Sequence, residues 1–173
     1  MATREPESAE GSPAEVSPDA FRHAMSRLPT GVTVVTAFGA DGHSGLTANA
    51  VVSLSLDPPL MLACLDRGSR TLRAVEHAGR FGVTVLASDQ ADVARAFSTK
   101  AEMQEKWEGI EWHERTGIPA LDGGVAWVAC ELRDVLAGGD HVIVTGAVLD
   151  VAADGGDPLV FFEGAYMGLG ETP

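Results

Sequence analysis

The sequence is poor in the features that mark several large classes of protein. It holds 12 Lys and Arg against 25 Asp and Glu, which gives a formal net charge of −13 over 173 residues. An acidic surface of this kind repels nucleic acid and anionic lipid, so we expect neither as a partner. No apolar run approaches the length of a membrane span, and no basic-then-apolar signal pattern opens the chain. We therefore expect a cytoplasmic protein.

Motifs of metal, nucleotide and hydrolase chemistry are also missing. No G-x-G-x-x-G follows a strand-like run, and neither G-x-x-x-x-G-K-[ST] nor G-x-S-x-G occurs. The five histidines show no metal-ligand spacing, so no metal site is predicted. The only two cysteines, Cys64 and Cys130, lie in apolar strand-like runs, which predicts buried and reduced thiols.

The first part of the chain differs in composition from the rest. Apart from Met1, residues 1–18 hold one large apolar side chain, Val16, and they carry one Arg against four Glu. Such a segment cannot bury enough surface to offset its ordering entropy. We therefore predict a disordered acidic tail at 1–17 and one domain at 18–170.

Periodicity predicts a mainly β domain with peripheral helices. Three helices are expected to begin at Ser17, Ser69 and Ser88, and a Gly-rich turn at 138–140 predicts a hairpin. Residues 100–118 show neither period clearly and are interpreted as helical or irregular. The predicted strands cover 31–38, 45–56, 60–65, 81–87, 125–137, 141–153 and 159–169. Because strands mostly neighbour strands, we expect a closed or nearly closed antiparallel barrel rather than a βαβ fold.

The predicted strand at 45–56 alternates in an unusual way. Its even positions are apolar throughout and are predicted to face the core: Leu46, Ala48, Ala50, Val52, Leu54 and Leu56. Its odd positions carry small neutral hydrogen-bonding groups around one valine: Thr47, Asn49, Val51, Ser53 and Ser55. Such groups suit the polar edge of a flat ligand, although an ordinary exposed strand can show the same pattern.

Cations cluster in one place in a chain that is short of them. Arg67, Arg70 and Arg73 surround a predicted helix start that also holds Ser69 and Thr71. Free amides, a positive dipole end and guanidinium groups together suit a phosphate, although a solvated helix face is the alternative. A ligand with a polar ring at one end and a phosphate at the other fits both features.

Six segments, taken in order, resemble a known family. They are FRHAMSRLPTGVTVVT, GLTANAVVSLSLDPPLMLACL, SRT, RFGVTVL, GGDHVIVTGAV and PLVFFEGAYMGL. Together they cover about residues 20–170 and resemble the flavin reductase–like, FMN-binding split-barrel family. More closely, the chain is similar to the short-chain reductase components of two-component aromatic monooxygenases.

The resemblance implies a homodimeric, Greek-key-like split β-barrel that reduces FMN or FAD with NADH or NADPH. Reduced flavin would then pass to a partner flavin-dependent monooxygenase. Matched positions imply contacts to the flavin ring from Asn49, Ala50, Val51, Val52, Ser53 and Ser55. They imply contacts to the ribityl chain and phosphate from Cys64, Leu65, Ser69, Arg70 and Thr71, with Phe97 and Ser98 nearby. His141 and Tyr166 would border the nicotinamide, with His141 as the catalytic candidate.

The type of nicotinamide cofactor, the roles of two residues and the overall function each have alternatives. Relatives often carry a basic residue where this chain has Glu163, which disfavours the extra phosphate of NADPH and favours NADH. His141 could equally be an ordinary turn residue, and Tyr166 could serve packing alone. A flavin-binding electron-transfer module and an oxidase of the pyridoxamine-phosphate type remain alternative functions. The choice between FMN and FAD is also open.

Overall fold

The computed structural model describes residues 16–170, which form four helices and twelve strands. The predicted tail at 1–17 therefore lies almost wholly outside the described residues. The helices are α1 (Pro18–Ser26), α2 (Arg70–Ala78), α3 (Ala91–Ser98) and α4 (Met103–Trp107). The strands are β1 (Thr30–Gly31), β2 (Thr33–Gly39), β3 (Gly42–Ala48), β4 (Val51–Leu56), β5 (Pro59–Asp66), β6 (Arg80–Val85), β7 (Trp112–Arg115), β8 (Ile118–Leu121), β9 (Ala126–Gly138), β10 (His141–Ala153), β11 (Leu159–Phe162) and β12 (Ala165–Gly168).

Seven of the strands form one antiparallel sheet in the order β3-β2-β6-β9-β10-β5-β4. Strands β3 and β4 are its two edges, yet only Asn49 and Ala50 separate them in the chain. The sheet must therefore curl until its edges approach each other, and the Cys64 amide donates to the Ala50 carbonyl (2.9 Å) at the junction. This arrangement confirms the predicted mainly β, antiparallel fold.

The inside of the curled sheet and the helix layer hold two separate apolar clusters. Val35, Phe81 and Val144 belong to the cluster inside the sheet, against α2. Phe97 and Trp107 belong to the second cluster, which joins α3 and α4 to β2 and β11. A fully buried side chain of this size contributes roughly 1.5–3 kcal/mol, so both layers are firmly placed.

Most of the predicted boundaries are confirmed. The Ser17 and Ser69 hydroxyls cap α1 and α2 by accepting bonds from Ala20 (3.2 Å) and Leu72 (3.1 Å). The predicted cap at Ser88 is wrong, because α3 begins only after Gln90. The hairpin of β9 and β10 turns at Gly139, whose positive φ of 81° favours glycine.

Three segments differ from the sequence prediction. The strand predicted at 45–56 breaks at Asn49, so β4 becomes a separate edge strand paired with β5. Its even face is not in the core: Val52 is 54% exposed and Leu56 is 89% exposed, since no other described element covers this edge. Residues 100–118 contain α4 and the first strand of the β7–β8 hairpin. Residues 159–169 form a second hairpin, of β11 and β12, and not one strand. Within residues 16–170, no helix is long and apolar enough to cross a membrane.

Candidate functional site

A large cavity of the described chain lies where β3 ends and the sheet edges meet. Its volume is about 880 Å³. Eleven of the residues proposed from the sequence line it: Thr47, Asn49, Ala50, Cys64, Ser69, Arg70, Thr71, Phe97, Ser98, His141 and Tyr166. They lie on β3, β5, α2, α3, β10 and β12 or directly beside β3 and α2, so the fold brings together residues from nearly the whole length of the domain.

The part of the cavity beside the sheet edges is lined by uncharged groups. We call it the neutral end and define it by Thr47, Asn49, Ala50 and Cys64. The Thr47 hydroxyl donates to the Ala94 carbonyl (2.7 Å), which leaves its lone pairs for a ligand donor. Gly45 lets β3 approach α3 closely here, because a Cβ at this position would lie 2.7 Å from Phe97 Cε1.

Another part of the cavity lining, at the starts of α2 and α4, is rich in ionic side chains. We call it the charged end and define it by Ser69, Arg70, Lys100, Glu102 and Lys106. Asp66 also lines the cavity, and its carboxylate accepts a bond from the Gly68 amide (2.6 Å) just before α2. The charged end includes the N-terminus of α2, whose partial positive charge favours anions. An anionic group of a ligand would therefore bind at this end.

The three arginines predicted to hold a phosphate are not equivalent. Only Arg70 lines the cavity, whereas Arg67 and Arg73 do not. Arg73 turns back along its own helix start and donates to the Gly68 carbonyl (3.2 Å). Thr71 lines the cavity but is 1% exposed, and its hydroxyl is bonded to Ser44 (3.0 Å). The anion site therefore rests on Arg70 and the first turn of α2.

Lys106 is the functional candidate that the sequence analysis missed. Its side chain is 6% exposed, and its ammonium donates to the Phe97 carbonyl (3.2 Å). Burial, and then the neighbouring Arg70 charge, lower the pKa of Lys106 below its usual value. A lysine held in such a place is available to an anion, because a bound negative charge would offset the cost of its burial.

Aromatic packing fixes the short helix that carries Lys106. Trp107 meets Phe97 edge-on at 4.9 Å between ring centroids and His43 at 4.4 Å. His43 also packs on Trp112 at 4.8 Å, and burial lowers its pKa. Because α4 has only five residues, this cluster rather than its own backbone bonds holds Lys106 at the cavity.

Two further predicted residues lie at the rim. His141 begins β10 opposite Asp66, and its Nδ1 is 2.7 Å from an Asp140 carboxylate oxygen. This bond and the His141 charge lower the pKa of Asp140. Tyr166 packs on Phe161 (5.1 Å between centroids), with the Arg95 guanidinium 5.5 Å from its ring centre. Both rings are thus oriented by neighbours.

Five residues proposed from the sequence do not line the cavity: Val51, Val52, Ser53, Ser55 and Leu65. The first four lie on β4, beyond the break at Asn49, and the break turns that strand onto the sheet edge. Leu65 is fully buried in the core inside the sheet, one residue along β5 from Cys64, because neighbouring strand residues point to opposite faces.

The thiols and possible metal ligands complete the chemistry of the site. Cys64 and Cys130 are both free, and only Cys64 reaches the cavity. Burial raises the pKa of the Cys130 thiol to about 12, so this group is inert. Among the described residues, no three His, Cys, Asp or Glu side chains cluster as metal ligands. The cavity can therefore bind and orient a ligand, and the imidazole of His141 is part of its lining.

Comparison with known proteins identifies the family of this chain. Residues 25–170 match the model of the flavin reductase like domain. The reductase subunit of a flavin-dependent monooxygenase from Mycobacterium tuberculosis is 38% identical over 160 residues, which cover 90% of this chain and 84% of that one. An NADH-dependent flavin reductase from Rhodococcus is 34% identical over 158 residues, covering 90% and 88%. The chain spans about half (48%) of a Rhizobium meliloti relative named as a flavin reductase, at 40% identity over 152 residues.

A solved structure extends the likeness to three dimensions. The NADH:FAD oxidoreductase of Streptomyces globisporus, determined with NAD and FAD fragments, superposes with a TM-score of 0.82 at 30% identity. It covers 91% of this chain, and the match includes 97% of that one. These relatives confirm the predicted class of enzyme, an oxidoreductase that reduces flavin with a nicotinamide nucleotide. The chain belongs to the flavin reductase–like family.

Proposed function

We propose that the cavity binds flavin with its ring at the neutral end and its phosphate at the charged end. NADH would then approach from the rim at His141 and Tyr166, and reduced flavin would leave for a separate monooxygenase. The observation that carries this proposal is that one cavity is lined both by neutral polar side chains, Asn49 and Thr47, and by cations, Arg70 and Lys106. A volume of about 880 Å³ lies within the usual range for a ligand of this size.

The residues present fit the tasks that such a cofactor leaves to the protein. When bound, the flavin supplies the redox chemistry, since it accepts a hydride from nicotinamide. The chain has to place the two rings about 3–3.5 Å apart and to exclude water between them. Asn49 and Thr47 offer neutral hydrogen-bonding groups to the ring edge, and no acid–base pair is required.

His141 is proposed to position the nicotinamide. Its Nδ1 is held by Asp140 at 2.7 Å, which fixes the imidazole plane at the rim. Transfer of a hydride gains or loses no proton at the nicotinamide, so a general base there has nothing to remove. Tyr166, held between Phe161 and Arg95, offers a flat face on the same rim.

The closing hairpin favours NADH over NADPH. Glu163, at its turn, faces Arg27 of the loop after α1 with 2.5 Å between the charged atoms. Arg27 is thereby paired, and the turn presents an acidic side chain where a basic one would attract an extra phosphate. We propose that the protein accepts both FMN and FAD as flavin substrates.

A second copy of the chain is proposed to cover the exposed apolar edge. Val52, Leu54 and Leu56 on β4 and Leu149 and Val151 on β10 are all about half exposed or more. An edge strand with such side chains invites pairing unless another surface covers it, which supports a homodimer. Two free thiols support a reducing, cytoplasmic location.

The assay for this function is NADH oxidation by the flavin-free protein with FMN or FAD added in catalytic and then in excess amounts. A reductase that releases its product shows steady turnover that saturates with free flavin. An electron-transfer module would show no steady oxidation of NADH. An oxidase of the pyridoxamine-phosphate type would retain flavin through gel filtration and would consume an amine substrate instead, and either result would contradict the proposal.

A further inference from the structure

One ion pair spans the charged end of the cavity. The Arg70 guanidinium, at the start of α2, lies 2.6 Å from the Glu102 carboxylate, at the start of α4. The same guanidinium donates to the Ala101 carbonyl. Both Arg70 and Glu102 line the cavity, although 32 positions separate them in the chain. The cation best placed for a ligand anion is therefore already engaged.

Glu102 reaches across the cavity instead of capping its own helix. It occupies the N-cap position of α4, yet its side chain accepts no bond from that helix. The side chains that ordinarily bond the first free amides are the short ones of Ser, Thr, Asp and Asn, so the longer Glu102 side chain is free to extend to another element. Here its carboxylate turns to Arg70, so the pair is a link between two elements rather than part of a helix start.

The pair is weak enough to open. The Glu102 side chain is 77% exposed and the Arg70 side chain 35% exposed, so water and salt screen their attraction. Lys106, whose pKa the Arg70 charge helps to lower, adds a second cation beside the first. A dianionic phosphate at the first turn of α2 would meet Arg70 and Lys106 together and would outcompete a single carboxylate.

We propose that Glu102 is an internal competitor for the flavin phosphate and so sets how readily flavin leaves. This rests on the proposed function, in which the phosphate binds at Arg70. While the site is open, the guanidinium stays on Glu102, and each phosphorylated flavin must displace that carboxylate to bind. The affinity for FMN is thereby lowered and its release quickened, which suits a protein that hands its product to another enzyme. Riboflavin, which has no phosphate, is unaffected.

The test compares FMN and riboflavin on the full-length, flavin-free protein by fluorescence quenching. Glu102→Gln keeps the size of the side chain and removes its charge. We expect this variant to bind FMN about two- to fivefold more tightly, which is the range of an exposed ion pair, with riboflavin unchanged. The rate of FMN dissociation in stopped flow should fall by the same factor. Glu105→Gln, which removes an equal charge from the exposed side of α4, is the matched control and should change neither ligand.

A double substitution decides how Glu102 acts. If it competes through Arg70, then Glu102→Gln should have no effect in an Arg70→Ala background. A persisting gain in that background would mean direct repulsion of the phosphate and would overturn the competition. Unchanged or weaker FMN binding by Glu102→Gln alone would also overturn it. The proposed function fails separately if Arg70→Ala leaves the preference for FMN over riboflavin as it was, since the phosphate would then lie elsewhere.

Discussion

The two ends of the cavity are formed by different kinds of secondary structure and carry different kinds of side chain. At the neutral end, β3 and β5 bring uncharged groups together through strand pairing and the curl of one sheet. At the charged end, α2, α3 and the short α4 bring together two lysines, an arginine and a glutamate. The neutral end is placed by the core of the barrel, whereas the charged end is placed by helix starts, by the aromatic cluster around Trp107 and by the ion pair of Arg70 with Glu102.

This difference separates two tasks that a flavin reductase has to perform. A ring that must react needs fixed neighbours that do not compete with its own electronics, and strands supply them. A phosphate that must be held and then released needs cations whose pairing can change, and exposed ion pairs supply that. We therefore expect substitutions at the neutral end to change the binding of all flavins, and substitutions at the charged end to change the binding of phosphorylated flavins only.

The largest effect is expected from Asn49→Leu at the neutral end. Loss of hydrogen bonds at the ring edge should weaken binding by about 1–3 kcal/mol where a buried partner is left unsatisfied. Because the ring is common to all flavins, riboflavin and FMN should lose affinity equally in a fluorescence titration. Ser53→Val, on β4 beyond the break, is the matched control and should leave both dissociation constants unchanged. A loss confined to FMN would place Asn49 at the phosphate.

Lys106→Met tests the charged end with a somewhat smaller expected effect. The variant keeps the length of the side chain and removes the charge, which should weaken FMN by about 1 kcal/mol, the upper end of the range for a solvent-screened ion pair. Riboflavin should bind as before. Lys100→Met, at an exposed lysine of the same end, should have a smaller effect. Equal losses for both ligands would show that Lys106 serves packing rather than charge.

His141→Asn should change the kinetics with NADH and leave both ends of the flavin in place. A positioning role predicts a higher KM for NADH or a lower kcat/KM, with unchanged flavin affinity and a pH–rate profile of the same shape. A limb in the range where histidines titrate, present in the wild type and lost in the variant, would instead identify a proton donor. Weaker flavin binding with normal NADH kinetics would place His141 beside the flavin.

The smallest effect is expected from removing residues 1–16, which precede α1. If this segment is the predicted acidic tail, its deletion should leave the melting temperature and the reductase rate nearly unchanged. Thermal unfolding and NADH oxidation measure both. A large loss of either would show that the segment contacts the domain or a second copy of it.

Much of the fold could be predicted from local patterns. Ser69 and Leu72 mark the start of α2, and the Gly-rich turn marks the β9–β10 hairpin, because caps and turns depend on a few adjacent residues. The break at Asn49 could not be predicted in this way. Alternation continues through it, and only the closure of the sheet, which depends on pairing across the whole chain, separates β3 from β4.

The candidate site was predictable where it lies on regular elements. Thr47 and Arg70 stand out by residue type at positions that strand and helix patterns define, whereas Asn49 stands out by residue type alone because it lies at the break between β3 and β4. Lys106 gave no signal, because a lysine in a polar segment is ordinarily exposed and its burial depends on the packing of Trp107. The pairing of Arg70 with Glu102 was equally hidden, since no pattern relates residues 32 positions apart.

A crystal structure with FMN tests the division of the cavity most directly. We expect the ring to lie against Asn49 and Ala50 and the phosphate to lie within hydrogen-bonding distance of the first turn of α2, with Arg70 turned from Glu102 toward it. The reverse orientation of the flavin, or a phosphate held away from Arg70 and Lys106, would contradict the proposed division of the cavity.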